Sequence, residues 1–247
     1  MTTTKEKASP FSPMHFETID HSIRNKDWRN LLICTFDFET TGLDVATSRI
    51  TQISANISRK SKNPIEDYEI VDSLNILVNP KEPVPEIVTK KTGLTNKILD
   101  NEPAIDEPDK DGLTPIDKLA AFMSMADMTG GFNVISFDFP IFKYEMLRTG
   151  VEYEFNIPVY DAYIWGRLYQ NYRKSGTLLS FAKRFNVAVA GKVASGMQSA
   201  HNGSVDVEMT TGLIWKFSEG VMTSYSLFDL MRKQLNTLME IELLDSK

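Results

Sequence analysis

The sequence predicts an α/β fold, a single domain built on a mixed sheet. Three observations predict it: an apolar run at residues 31–36, two segments of period-two alternation directly after it, and alternating helical and strand-like segments from residue 116 onward. Consecutive strands pair as an antiparallel meander, whereas strands separated by helices pair in parallel, so one sheet must combine both. A chain of 247 residues suits one large domain and can bury a sizeable core.

Each element has its own signal. Residues 1–28 are polar and weakly patterned and read as a mobile tail, with Trp28 as its anchor; the domain proper spans 29–247. Leu31-Leu32-Ile33-Cys34-Thr35-Phe36 is apolar but for Thr35, the mark of a central strand buried on both faces. Residues 50–57 and 68–78 alternate and read as antiparallel neighbours. The proline-rich segment 79–85 ends the third strand. Residues 100–115, acidic and carrying Pro103, Pro108 and Pro115, read as an exposed loop. A helix follows at 116–125, then a fourth strand at 131–136. Asp138-Phe139-Pro140 opens a helix that stops near Gly150, the usual proline-early, glycine-late asymmetry. A short strand at 157–160 and helices at 161–172, 178–185, 205–217 and 225–244 complete the reading.

Composition excludes several classes. Cys34 is the only cysteine, and the histidines are His15, His21 and His201, so neither a disulfide framework nor a cysteine- or histidine-rich metal site can form. No apolar run reaches the ~18–20 residues that span a bilayer. The opening MTTTKEKASP lacks the apolar core of a secretory signal, so a cytoplasmic, intracellular protein with no membrane partner is expected. The net charge of −6 hides an asymmetry. Asp100–Asp127 carries eight acidic residues and two lysines, whereas Ala162–Ala200 carries six basic residues and no acidic one. The basic stretch is interleaved with Tyr163, Trp165, Tyr169, Tyr172, Phe181 and Phe185, a composition that suits single-stranded nucleic acid. The helical spacing of the rings equally suits a core, which leaves the basic residues as the phosphate contacts.

The chemistry concentrates in carboxylates. Asp37 and Glu39 follow the central strand and, at a spacing of two, point to one side of the sheet. Two adjacent carboxylates with no basic residue nearby repel each other unless a cation lies between them, and hard oxygen donors suit Mg²⁺ or Mn²⁺. A bare Asp-x-Glu also simply ends strands at a solvent edge. Asp138 precedes a helix, where an N-cap is the plain reading; ligands also gather at strand ends in open α/β sheets. His201 and Asp206 stand about 140° apart on an ideal helix, so Gly203 between them suggests His201 on a lead-in and Asp206 in the first turn.

In this order and context the five residues resemble the DEDD-type (DnaQ-like) 3′–5′ exonuclease family, in its histidine subtype (DEDDh). Phe36-Asp37-Phe38-Glu39-Thr40-Thr41-Gly42-Leu43 matches the first motif. Gly131-Phe132-Asn133 through Phe137-Asp138 matches the second, and His201-Asn202-Gly203-Ser204-Val205-Asp206 the third. Pro83-Val84-Pro85 leading to Lys91-Thr92-Gly93-Leu94-Thr95, Tyr160-Asp161 and Leu178 through Phe185 match intermediate stretches, so the resemblance covers about residues 30–218. Phe132 stands where the family often has histidine, and Asn202-Gly203 where it often has Arg-Ala; neither departure touches a metal-ligand position.

The resemblance implies a ribonuclease-H-like fold, a five-stranded mixed sheet with strand 2 antiparallel, flanked by helices. It implies that Asp37, Glu39, Asp138 and Asp206 hold two divalent cations, Mg²⁺ or Mn²⁺, and that His201 is the general base. It places Thr40, Thr41 and Leu43 against the terminal nucleotide, and Asn133 either there or as the holder of a loop. The expected activity is metal-dependent removal of nucleoside 5′-monophosphates from a DNA 3′ end, with single-stranded DNA as the partner. The alternatives are an RNA exonuclease, a proofreading subunit of a DNA polymerase, and an inactive nucleic-acid-binding module. The helix at 225–244 is apolar along one face; it packs on its own domain, docks a polymerase or mediates self-association.

Overall fold

One long strand organises the sheet. The computed structural model describes residues 26–63, 66–151, 157–171, 175–189, 192–193, 202–221 and 227–245. Strand β1 (Ile33–Thr40) pairs antiparallel with β2 (Ile50–Lys60) and parallel with β4 (Met128–Gly131). Strand β3 (Tyr68–Leu77) pairs antiparallel with β2, and β5 (Val159–Asp161) parallel with β4. The order is β3-β2-β1-β4-β5, the mixed five-stranded sheet with an antiparallel second strand that the resemblance implies. The third strand meets only the second and forms the sheet edge, so it is no neighbour of β1.

The helices follow from local signals. Helix α1 (Glu86–Thr92) starts directly after Pro85 and ends at Gly93, whose φ of 77° suits a residue without a Cβ. Helix α2 (Asn96–Leu99) is capped by the Thr95 hydroxyl. The sequence reading left both out because a proline cluster looks like coil, although proline just before a helix is an ordinary start. Helix α3 (Pro115–Ser124) carries a capping box between Thr114 and Asp117. Helices α4 (Asp138–Thr149), α5 (Ala162–Tyr169), α6 (Leu178–Arg184), α7 (Gly203–Val221) and α8 (Leu227–Asp245) follow. A two-stranded ribbon, β6 (Ala188–Val189) with β7 (Lys192–Val193), precedes α7.

The fourth strand corrects the sequence reading, which set it at 131–136. It ends at Gly131; Asn133 adopts a φ of 63°, and the Ser136 and Phe137 amides return to the Asn133 carbonyl at 3.2 and 3.0 Å. The apolar Val134 and Ile135 are buried in that turn, which is why the stretch looked like a strand. The acidic loop is also more fastened than expected. Ala104 and Ile105 are buried, Lys81 pairs with Glu107, and Lys118 with Asp109. Trp28 packs against Trp215 with ring centroids 6.1 Å apart and lies under the Lys60 ammonium; the tail it was expected to anchor lies, up to residue 25, outside the described residues.

Alternation along β1 divides the core. Cys34, Phe36 and Phe38 face one cluster with Phe122 and Phe142, while Ile33 faces the other with Trp165, Phe181 and Trp215. Phe36 and Phe38 meet at a tilt, ring centroids 5.2 Å apart, and Phe142 stacks on Phe38, so the strand's alternation continues four residues past the apolar run. Asp37 and Glu39 therefore point to the opposite face, the one α7 covers. Helix α7 is pinned there by Thr211 donating to Asn56 (3.0 Å) and Trp215 donating to Ser58 (2.9 Å).

Candidate active site

Strand β1 and the first turn of α7 bring three carboxylates together. One oxygen each from Asp37, Glu39 and Asp206 lies within 4.8 Å of the others. Close approach of helix to sheet makes this possible: a Cβ on Gly203 would lie 2.3 Å from Ser54 Oγ. Ser54 is the cross-strand partner of Asp37, so the glycine seats Asp206 over the β1 pair. Asp138 arrives from another direction. Strand β4 leaves β1 after Thr35, and the Phe38 amide donates to Asp138 Oδ1 at 3.0 Å. Asp138 is only 3% exposed, the first residue of α4 and the buried neighbour of the triad. His201 lies outside the described residues.

The electrostatics of the cluster are unfavourable without a cation. Burial pushes the Asp37 carboxyl well above its usual value, and the negative charges of Asp138, Asp206 and Glu39 push it further. Burial and then Asp206 raise Glu39 to about 7. Burial raises Asp138 to about 8 against the opposing Phe38 hydrogen bond, with Asp161 and Glu39 adding to the rise. Among the described residues, no lysine or arginine forms an ion pair with Asp37, Glu39 or Asp138. Hard oxygen donors held this close are the donor set a divalent cation such as Mg²⁺ or Mn²⁺ takes, so these residues fit the metals the resemblance implies.

The carboxylates lie in a cleft of about 500 Å³. The apolar Leu43, Pro85, Ile87 and Val88 also line it, as does Lys91. Leu43 and Ile87 are 84% and 66% exposed, open to an incoming ligand. Thr40 and Thr41 also line the cleft, yet their hydroxyls are engaged. Thr40 donates to the Gly42 carbonyl at 2.7 Å; Thr41 donates to Glu82 at 2.7 Å and accepts the Arg49 amide at 2.9 Å. Asn133 is not part of the lining; its amide donates to Asp161 at 3.0 Å.

Glu145 and Arg148, which sequence reasoning did not single out, help hold this arrangement, as does Asp161 of the Tyr160-Asp161 match. Glu145, 1% exposed on α4, accepts Arg49 Nε and the Ile50 amide, each at 3.0 Å, and pairs with Arg148 at 3.2 Å. Arg148 in turn donates to the Ala46 and Ser48 carbonyls, so the loop carrying Gly42 and Leu43 is clamped to α4. Asp161 is buried, caps α5 and accepts the Asn133 and Ile135 amides; its position before a helix was the signal. Within the basic stretch, Arg167 is buried against Asp245 (2.9 and 3.0 Å), so its charge holds α8 and is not a phosphate contact. Trp165 and Phe181 are core, as helical spacing allowed.

The exonuclease family model RNase_T matches residues 34–214. The chain is 26% identical over 181 residues to the PolC-type DNA polymerase III of Halalkalibacterium halodurans, covering 73% of this chain and 11% of that one. With the Latilactobacillus sakei PolC-type enzyme it is 24% identical over 218 residues, covering 87% and 13%. The chain thus spans little more than a tenth of those polymerases. Among solved structures, exonuclease X in complex with 5′ overhanging duplex DNA superposes with a TM-score of 0.55 at 16% identity, covering 81% of this chain and 99% of that one. E. coli exonuclease I in complex with a dA16 oligonucleotide gives 0.55 at 16% identity, covering 81% and 42%. A family match across most of the chain, on a sheet of this topology, makes the chain a member of the RNase_T exonuclease family, the DnaQ-like 3′–5′ exonucleases of ribonuclease-H-like fold.

Proposed function

We propose that the chain is a metal-dependent 3′–5′ exodeoxyribonuclease that releases nucleoside 5′-monophosphates from single-stranded or frayed DNA. The observation that carries the reading is the Asp37, Glu39, Asp206 cluster in an open cleft that Leu43, Pro85, Ile87 and Val88 also line. Asp37, Glu39 and Asp206, with Asp138 beside them, would hold two divalent cations. Bound there, the cations supply Lewis-acid stabilisation of phosphate charge and lower the pKa of water.

The chain's own groups do the rest. Leu43 and Ile87 flank the terminal base, an apolar slot that accepts any base by its face. Thr40, Thr41 and the backbone after them border the terminal sugar, and Lys91 offers a cation to the phosphate chain. His201, five residues before Asp206, takes a proton from the attacking water, a task suited to a side chain that titrates near neutrality. The 3′ oxygen of the penultimate nucleotide leaves, and the nucleoside 5′-monophosphate departs with the phosphate.

DNA is favoured over RNA because two structural neighbours carry DNA in their complexes. A second reading, a proofreading unit working beside a polymerase, is favoured by the similarity to PolC-type enzymes. The test is digestion of 5′-labelled single-stranded DNA in Mg²⁺ and in EDTA, with a matched RNA oligonucleotide alongside. A Mg²⁺-dependent ladder shortening from the 3′ end, faster on DNA, is expected. Faster cleavage of the RNA reverses the sugar preference. No cleavage of either, in Mg²⁺ or Mn²⁺, leaves the inactive binding module in its place.

A further inference from the structure

The family match ends at residue 214, and α8 begins at Leu227. One side chain of that added helix reaches into the scaffold of the carboxylate cluster. Gln234 is 1% exposed. Its Oε1 accepts the Asp161 amide at 2.7 Å and the Trp165 indole N–H at 3.0 Å, and its Nε2 donates to the Val159 carbonyl at 3.0 Å. One amide group thus ties the end of β5 to α5.

The tie leads on to the site. The Asp161 carboxylate accepts the Asn133 amide at 3.0 Å and the Ile135 amide at 3.1 Å, while its other hydrogen bonds cap α5 at Tyr163 and Ile164. Those two amides fix the turn that follows β4, with Asn133 in the left-handed region. The Phe137 amide closes back onto the Asn133 carbonyl at 3.0 Å, and the next residue is Asp138, bound to the Phe38 amide. Three hydrogen bonds, Asp161 to Gln234, Asn133 to Asp161 and Phe137 to Asn133, carry the path across to the residue before Asp138; they join buried or half-buried groups and are costly to leave unmade.

We infer that Gln234 is a positioning residue of the nuclease site: helix α8 is a built-in brace that sets β5 and Asp161, and through them the turn that places Asp138. The inference rests on the function proposed above for the cluster. It gives Gln234, one residue of α8, a positioning role at the site, where the sequence alone left the helix between self-packing and a docking role.

The experiment compares three full-length variants with the wild type. Gln234→Met keeps the volume and removes all three bonds. Gln234→Asn keeps the polarity but is one methylene too short to span Val159, Asp161 and Trp165. Asp245→Asn weakens the Arg167 anchor of the same helix without touching the link to Asp161. The readouts are thermal midpoint, kcat and KM on single-stranded DNA, and Mn²⁺ affinity measured calorimetrically without substrate. Both Gln234 variants are expected to lose at least tenfold in kcat and to bind Mn²⁺ several-fold more weakly, with KM little changed. Asp245→Asn is expected to lower the thermal midpoint and to keep wild-type kcat and Mn²⁺ affinity below it. Wild-type kcat and Mn²⁺ affinity in a folded Gln234 variant overturn the assignment, as does an equal loss in Asp245→Asn or failure of both Gln234 variants to fold. A wild type that binds Mn²⁺ but degrades no oligonucleotide defeats the proposed activity instead, and the Mn²⁺ comparison still decides the brace.

Discussion

Asp37 concentrates the conflict of the site in one side chain. It faces Asp206 and Glu39, feels Asp138, and is held by burial far above the usual carboxylate range. Removing one member of a repelling buried set relieves the others. Asp37→Ala is therefore expected to abolish digestion, by roughly a hundredfold or more as for other groups that stabilise transition-state charge. It is also expected to raise the melting temperature of the metal-free protein. Turnover near wild type in Mg²⁺ would remove Asp37 from the ligand set; a lower apo melting temperature would show that its packing outweighs the repulsion. At this scale the sequence was legible for Asp37 and Glu39, because strand alternation fixes their common face. It was silent on the bonds of Glu145 to Arg49 and Ile50 and of Gln234 to Asp161, which join residues tens of positions apart and follow no local period.

At the scale of elements, the site depends on how closely α7 lies on β2. Gly203 faces Ser54 and Gln52, and the nearest atom, Ser54 Oγ, would be 2.3 Å from an added methyl group. The hydroxyl is buried, so it has little room to turn aside. Gly203→Ala is expected to lift the first turn of α7 and move Asp206 with it, lowering turnover roughly tenfold to a hundredfold, the cost of small misplacements in an active site. Ser54→Ala in the same chain is expected to recover most of the loss, since it removes the nearest clashing atom. Equal activity in both proteins would show that the helix has slack at this point. The sequence marked Gly203 as a departure from the family's usual alanine; the reason for glycine appears only once Ser54 is seen beneath it.

The whole molecule carries the cluster's charge as a dependence of stability on pH. Glu39 titrates near 7 and Asp138 near 8 in the folded protein, against 4.5 and 3.8 for free side chains. The folded state therefore binds more protons than the unfolded chain between about pH 4 and 8, so stability falls as pH rises through that window. In EDTA, the melting temperature is expected to fall from pH 5 to pH 8. Saturating Mn²⁺ is expected to raise it most at the upper end, because a cation binds the ionised carboxylates. A flat apo profile, or an Mn²⁺ effect larger at pH 5 than at pH 8, would contradict this. The net charge of −6 does not report the balance at the site: much of the acidic excess lies in the loop after α2, part of it neutralised by Lys81 and Lys118.

What the sequence determined by itself was whatever has a local period or a local signal. Alternation set the strands and the shared face of Asp37 and Glu39; capping and proline signals set most helices; motif order pointed to the family. Boundaries failed where burial overrode local pattern, as in the turn after β4, where Val134 and Ile135 are apolar because they are buried and not because they are extended. Only the tertiary structure decided which distant groups meet. It brought Asp206 to within reach of Asp37 and Glu39, set Asp138 on the Phe38 amide, clamped the Leu43 loop through Glu145, and tied α8 to Asp161 through Gln234. The physical reason is that local propensity fixes dihedral angles over a few residues, whereas these contacts depend on how helices seat on a twisted sheet, which packing of the whole chain settles.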